Sequence, residues 1–208
     1  EVASPQHVEA ALKYNIDVLW LGARTTVNPF LVQEIANAFQ GVDIPVMIKN
    51  PINPDLALWQ GAIERIYNTG NKKLAAVHRG FSSYQKSKFR NTPSWQIAIE
   101  LKSNFPTLPL ICDPSHIAGN REMILEVSQK ALDLGYDGLM IEVHPDPALA
   151  LSDADQQVSL EGLTKTIDQL RFAKKHSNDA LFISQLEQLR ENIDQIDQEL
   201  VEILSLRK

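Results

Sequence analysis

One unit recurs along this 208-residue chain and limits what it can fold into: a short apolar run, a polar or charged residue where the run stops, then a helical pattern. "VLWLGAR" (Val18 to Arg24) leads to "PFLVQEIANAF", and "PVMIKN" (Pro45 to Asn50) to "PDLALWQGAIERIYNTG". "KLAAVHRG" (Lys73 to Gly80) leads through a polar loop to "SWQIAIELKSNF", and "PLICDPSH" (Pro109 to His116) to "NREMILEVSQKALDLG". "GLMIEVHP" (Gly138 to Pro145) leads through another loop to "SLEGLTKTIDQLRFAKKH". Near-continuous apolar runs of this length read as parallel strands buried on both faces. Gly70 and Gly135 stand where a helix end takes a left-handed residue. Asn53-Pro54, Thr92-Pro93 and Ser159 read as helix starts.

Two folds use such repeats, a doubly wound open sheet and a (β/α)₈ barrel. No GxGxxG or GxxxxGK[ST] segment follows any of the runs, which weighs against a nucleotide-binding open sheet. The chemically rich residues close all five runs: Arg24, Lys49, His78-Arg79, Asp113 with His116, and Glu142 with His144. An open sheet gathers its site at one switch point, whereas a barrel draws on the ends of many strands. The expected fold is therefore α/β, a partial TIM barrel of about five βα units (β4–β8 of eight). The first residue is Glu1, and "EVASPQHVEAAL" reads as the continuation of a longer chain, so the other units are expected before it. A piece of that kind is expected to show little or no turnover by itself.

Composition narrows the function. A net charge of −6 argues against a general nucleic-acid coat. No apolar run approaches the roughly 20 residues of a membrane span. The single cysteine, Cys112, lies inside an apolar run, reads as a core residue, and fits a reducing, cytoplasmic compartment. Trp20, Trp59 and Trp95 read as packing residues, and His7 and His176 carry no signal.

The end of the chain changes character. After the polar stretch "KKHSND", Leu186, Leu189, Ile193, Ile196, Leu200 and Ile203 alternate in steps of three and four, a coiled-coil-like seam. The expected division is a barrel part over 1–171, a linker over 172–180 and an amphipathic helix of an all-α domain over 181–208. Arg190 flanks the seam and Arg207 falls on it; they are 17 residues apart, about 25 Å along one helix, too far to grip one small ligand together. They suit two sites, or one site shared between two helices of a dimer.

Arg24, Lys49 and Arg79 each follow a run directly, where cations can meet an anionic substrate at a barrel mouth. His116, Glu142 and Asp153 offer one nitrogen and two carboxylates near neighbouring strand ends, a mixture that suits Mn²⁺, Fe²⁺ or Zn²⁺. His144 lies on the same side of its strand as Glu142 and competes as a ligand. Asp113 and Asp146 each precede Pro and read as turn residues.

At these residues "LGAR", "IKNP", "HRGF", "DPSHIAGN" and "IEVHPDPALALSDADQQ" together resemble 3-deoxy-D-arabino-heptulosonate 7-phosphate (DAHP) synthase, of the subfamily akin to KDO-8-phosphate synthase. The tail "LEQLRENIDQIDQELVEILSLRK" resembles the first helix of the all-helical chorismate mutases. The double resemblance implies a bifunctional cytoplasmic enzyme of the shikimate pathway. Its substrates would be phosphoenolpyruvate, erythrose 4-phosphate and chorismate, and it would be a homo-oligomer paired through its mutase helices. It implies that Ala23, Arg24, Lys49 and Arg79 bind phosphoenolpyruvate, with Lys49 also catalytic. His116, Glu142 and Asp153 would hold a divalent metal ion (Mn²⁺, with Fe²⁺, Co²⁺ or Zn²⁺ as alternatives), and His144 would stand behind the metal or beside substrate. The family's fourth ligand, a cysteine on an early strand, has no counterpart here, and Cys112 does not match it. Arg190 and Arg207 match mutase arginines that hold substrate carboxylates. KDO-8-phosphate synthase, or a stable non-catalytic fragment, are the competing readings.

Overall fold

The computed structural model describes residues 1–172 and 180–206. Arg207, His176 and most of the stretch read as a linker lie outside those residues. The chain forms two compact units, Glu1–Arg171 and Phe172–Lys208.

The first unit runs α1 (Pro5–Lys13), β1 (Leu19–Leu21), α2 (Ala23–Thr26), α3 (Pro29–Ala38), β2 (Val46–Lys49), α4 (Leu56–Tyr67) and β3 (Leu74–His78). It continues through α5 (Trp95–Asn104), β4 (Leu110–Cys112), α6 (Pro114–Ala118), α7 (Ile124–Asp133), β5 (Gly138–Leu139) and α8 (Leu160–Gln169). All five strands are parallel and lie in the order β1-β2-β3-β4-β5. This one-directional order lacks the reversal of a doubly wound sheet and is that of a partial (β/α)₈ barrel. Isolated parallel bridges carry the order further at both edges, Val2 to Leu21 and Val143 to Val158. The sheet holds the five strands expected, and the second bridge adds only a single paired position just ahead of α8.

The expectation that the strands are buried on both faces also needs correction. Leu19, Leu21, Val46, Ile48, Leu74, Ala76, Leu110 and Cys112 are buried, while Trp20, Met47, Ala75 and Ile111 between them are only half-buried. The buried set faces the helix layer, which packs Val32, Ile35, Trp59, Ile63, Ala98, Val127 and Ala131 against it. Within this unit no second layer seals the other face. β5 is half-buried along its length, as an edge strand is.

Helix starts differ slightly from expectation. Ser159 caps α8, its Oγ accepting from the Gly162 amide. α4 instead begins after Asp55, whose carboxylate accepts from the Leu58 amide, and α5 after Ser94. Gly70 and Gly135 follow α4 and α7 with φ of +97° and +79°, the left-handed endings foreseen for them.

His78 closes β3 on the helix-facing side and is fully buried among Trp59, Phe81, Trp95 and Tyr136, with ring centroids 5.3–6.2 Å away. Its Nε2 lies 2.7 Å from the Pro93 carbonyl oxygen and its Nδ1 2.8 Å from the Tyr136 hydroxyl. A neutral ring satisfies both, donating from Nε2 and accepting at Nδ1. Burial lowers its pKa to about 4. Unfolded, the ring takes up a proton near pH 6.5; folded, it does not until about pH 4, so this group's contribution to stability is lost as pH falls through that window. In urea unfolding, His78→Gln is expected to be less stable than wild type at pH 7, the gap narrowing by about 2 kcal/mol on acidification to about pH 4.5. A gap that does not change with pH contradicts a buried neutral ring.

The second unit holds α9 (Ala180–Ser205). Leu186, Leu189, Ile193, Ile196, Leu200 and Ile203 are 36–63% exposed, so the seam expected from the sequence has no cover within its unit. No helix among the described residues is long and apolar enough to cross a membrane.

Candidate functional site

Side chains on a strand alternate between faces, and the residues just past the strand ends continue that alternation. His78 and Cys112, in register on β3 and β4, go to the helix layer. Arg79 and Asp113, each one residue later, fall on the opposite side with Lys49. Cys112 is a core residue as expected, its thiol pushed well up by burial.

Asp113 is more than a turn residue. Its Oδ1 accepts from the His116 amide and caps α6, while its Oδ2 lies 2.9 Å from Lys49 Nζ and 2.9 Å from His116 Nδ1. The Lys49 and Asp113 side chains are only 9% and 1% exposed. Burial alone would raise the Asp113 carboxyl, but the His116 ring and the Lys49 ammonium outweigh it and hold it below the ordinary carboxylate value.

Beside this pair, His116, Glu142 and Asp153 each place one ligand atom within 4.8 Å of the others. His116 Nδ1 is buried yet makes no hydrogen bond: Asp113 Oδ2 is close but badly angled, and Glu142 Oε1 is 3.6 Å away. An unsatisfied imidazole nitrogen beside two carboxylates fits a divalent cation. Asp153 has a φ of +51°, a left-handed backbone that Asp tolerates better than most residues. Arg90 donates to its Oδ1 at 2.6 Å and holds its carboxyl below the usual range. His144 is not in the cluster; its Nδ1 accepts from the Asp146 amide at 3.0 Å.

Arg24, Lys49, Arg79 and His116 line one small pocket of about 60 Å³ with Glu1, Ala23 and Ile52. Arg79 is fixed by two asparagines: its backbone N–H donates to Asn50 Oδ1 and its Nη1 to Asn91 Oδ1. Burial lowers its pKa, a cost that an anion in the pocket would offset. Gly80, at φ +75°, allows this approach, since a Cβ there would stand 2.7 Å from the Asn91 carbonyl oxygen. The structure thus brings seven of the candidates together: Ala23, Arg24, Lys49, Arg79, His116, Glu142 and Asp153. Arg190 is exposed on α9, in the other unit. Asn91, Arg90 and Gln156 escape sequence reasoning, and Asp113 reads there only as a turn residue, because side-chain contacts distant in sequence reveal their roles.

The model of the DAHP synthetase I family matches residues 1–178. The chain belongs to that family. It is 29% identical over 155 residues to phospho-2-dehydro-3-deoxyheptonate aldolase of Thermotoga maritima, covering 74% of this chain and 44% of the relative. It is 28% identical over 128 residues to 2-dehydro-3-deoxyphosphooctonate aldolase of Syntrophotalea carbinolica, covering 55% of this chain and 44% of that one. Among solved structures, a truncated form of the T. maritima DAHP synthase aligns with TM-score 0.67 and 27% identity, over 79% of this chain and 60% of that one. Another structure of DAHP synthase from T. maritima aligns with TM-score 0.69 and 27% identity, over 80% and 47%. The chain therefore spans less than half the length of both curated relatives.

In this member of the DAHP synthetase I family the Lys49–Asp113 pair sets a stability test. Removing one partner leaves a buried charge unpaired. Asp113→Ala is expected to lower unfolding free energy by about 3–5 kcal/mol in denaturant titrations. Glu161→Ala, which breaks the exposed pair with Lys165, is expected to leave the unfolding midpoint within error of wild type, since solvent screens such a pair.

Proposed function

We propose that this chain carries the metal and phosphoenolpyruvate sites of a DAHP synthase, which joins phosphoenolpyruvate to erythrose 4-phosphate and releases phosphate. The observation that carries the reading is the convergence of His116, Glu142 and Asp153 beside a pocket lined by Arg24, Lys49 and Arg79. The three cations suit the phosphate and carboxylate of phosphoenolpyruvate. One donor of Lys49 is committed to Asp113, which leaves two for substrate oxygens and fixes the direction in which they point. Arg79, held by Asn50 and Asn91, presents its remaining guanidinium edge without having to reorganise. In the reaction C3 of phosphoenolpyruvate bonds to the aldehyde carbon, water adds at C2, and the C2–phosphate bond breaks. Arg24, Lys49 and Arg79 hold the charge that moves between these positions. A divalent cation at His116, Glu142 and Asp153, Mn²⁺ in first place with Fe²⁺, Co²⁺ or Zn²⁺ as alternatives, would polarise the aldehyde oxygen.

A specific observation favours a second substrate. Similarity to the phosphooctonate aldolase supports KDO-8-phosphate synthesis, in which arabinose 5-phosphate replaces erythrose 4-phosphate. Binding of one aldehyde phosphate and not the other to the chain loaded with Mn²⁺ and phosphoenolpyruvate decides between them. Binding tests the shared part. The chain is expected to bind Mn²⁺ and then phosphoenolpyruvate in calorimetric titrations. His116→Ala should abolish the first, and Arg79→Ala should weaken the second about 10-fold or more. A wild-type chain that binds neither refutes the reading.

For α9 we infer the first helix of a chorismate mutase, paired with the same helix of another copy. Its support is the uncovered apolar seam together with Arg190 beside it. The mutase step is a rearrangement of chorismate to prephenate that needs placed cations and a shaped cavity. In the enzyme carrying both activities, Arg190→Ala should cut prephenate formation by about 10-fold or more while DAHP formation is unchanged. Equal loss of both would count against separate sites.

A further inference from the structure

Gln156 takes no part in the reading so far, yet it is 1% exposed and lies beside the metal cluster. Its two amide atoms face opposite kinds of partner. Arg90 Nη1 is 2.5 Å from Oε1, and Nε2 is 2.8 Å from Glu142 Oε2. An arginine can only donate and an ionised carboxylate can only accept, so the network itself fixes the orientation of the amide. The same Arg90 Nη1 donates to Asp153 Oδ1 at 2.6 Å. Nη1 carries two hydrogens, one for each acceptor. One short path, Glu142 to Gln156 to Arg90 to Asp153, therefore ties together two carboxylates that are 11 residues apart in sequence.

We propose that Gln156 and Arg90 form a clamp that presets Glu142 and Asp153 for a divalent cation, each carboxylate keeping one oxygen for the clamp and one for the ion. The inference rests on the metal site proposed above. With Oε2 taken by Gln156, Glu142 turns Oε1 toward His116, where the two atoms are 3.6 Å apart. With Oδ1 taken by Arg90, Asp153 keeps Oδ2. Both carboxylates then act as single-oxygen ligands, which leaves coordination positions open.

Three features show that the clamp is built into the fold. The Gln156 amide N–H donates to the Asp153 carbonyl, and the Val158 N–H to the Glu142 carbonyl, so the backbone holds the same residues in register. Gly119 makes room for the stem of Arg90, since a Cβ there would meet the Arg90 Cβ at 2.3 Å. The backbone amides of Arg90 and Asn91 donate to the carbonyls of Ala118 and Ile117, which pins the long polar loop at this point. The Arg90 guanidinium also offsets part of the repulsion between two carboxylates before any cation arrives. Hydrogen-bonded neighbours of ligating groups orient them and tune affinity in this way.

The test uses Mn²⁺ and Co²⁺ as probes on the whole chain. Gln156→Met keeps the volume and removes both hydrogen bonds; Arg90→Lys keeps the charge and removes the shared geometry. Both are expected to weaken Mn²⁺ binding by on the order of 10- to 100-fold in calorimetric titration. Both should also change the visible absorption of bound Co²⁺, which reports ligand geometry. A purely structural role for Gln156 would lower the unfolding midpoint and leave the Co²⁺ spectrum of the folded protein unaltered, and that result overturns the clamp. If Gln156→Met fails to fold, Arg90→Lys, at a partly exposed side chain, gives the same reading. Wild-type affinity and spectrum in the variants, with binding lost in His116→Ala, would sink the clamp and leave the metal site standing. A wild-type chain that takes up no Mn²⁺ overturns both.

Discussion

The site depends on a constraint of the strand itself: consecutive side chains leave a strand on opposite faces. At the ends of β3 and β4 this rule separates two sets of groups with incompatible needs. His78 and Cys112 pass into the helix layer, where burial keeps one ring neutral and one thiol protonated. Arg79 and Asp113 pass to the side of Lys49, where charge is required. A slip of one residue in β3 would bury a guanidinium among tryptophans and turn an aromatic-lined imidazole toward the pocket, and one in β4 would exchange the Cys112 thiol with the Asp113 carboxylate. The apolar helix layer therefore fixes the polar site, because the cost of exposing one face sets the register of the other.

Asp113 connects the two halves of the site. One carboxylate contacts the ammonium of Lys49, the ring of His116 and the first turn of α6. Lys49 and His116 are thus placed by the same pair of oxygens. Arg90 and Gln156 stand on the far side of the cluster in a comparable position, and Asn50 and Asn91 hold Arg79. Asn50, Asn91, Asp113 and Gln156, which hold the candidate residues in place, are all buried. The positioning therefore comes from hydrogen bonds already made in the folded chain, not from flexible cations recruited to an anion.

Much of this was legible in the sequence because it depends on local pattern. The apolar runs, each closed by a polar residue, gave β1 to β5 and the parallel order, and the residues closing them gave Arg24, Lys49, Arg79, His116 and Glu142. Ser159, Gly70 and Gly135 were readable because a cap or a left-handed ending is a property of a few adjacent residues. What was not legible depends on approach across the fold. Asp113 looked like a turn residue because its partner Lys49 is 64 positions away. Gln156 looked like one polar residue among several in "SDADQQ". The half-open face of the sheet was missed for another reason: a strand of apolar residues reads the same whether one or both of its faces are covered. The bridge at Val158 was missed because a single strand residue has no periodicity.

The left-handed backbone of Asp153 limits how this position can vary. Side chains that crowd the backbone at a φ of +51° are disfavoured before their chemistry matters. Asparagine tolerates the conformation about as well as aspartate and has nearly the same shape. Exchange between these two therefore changes the charge while leaving the loop's path intact. In a natural relative with Asn at this position, the loop geometry would persist after the carboxylate had gone, so a preserved shape there is no guide to a preserved cation site.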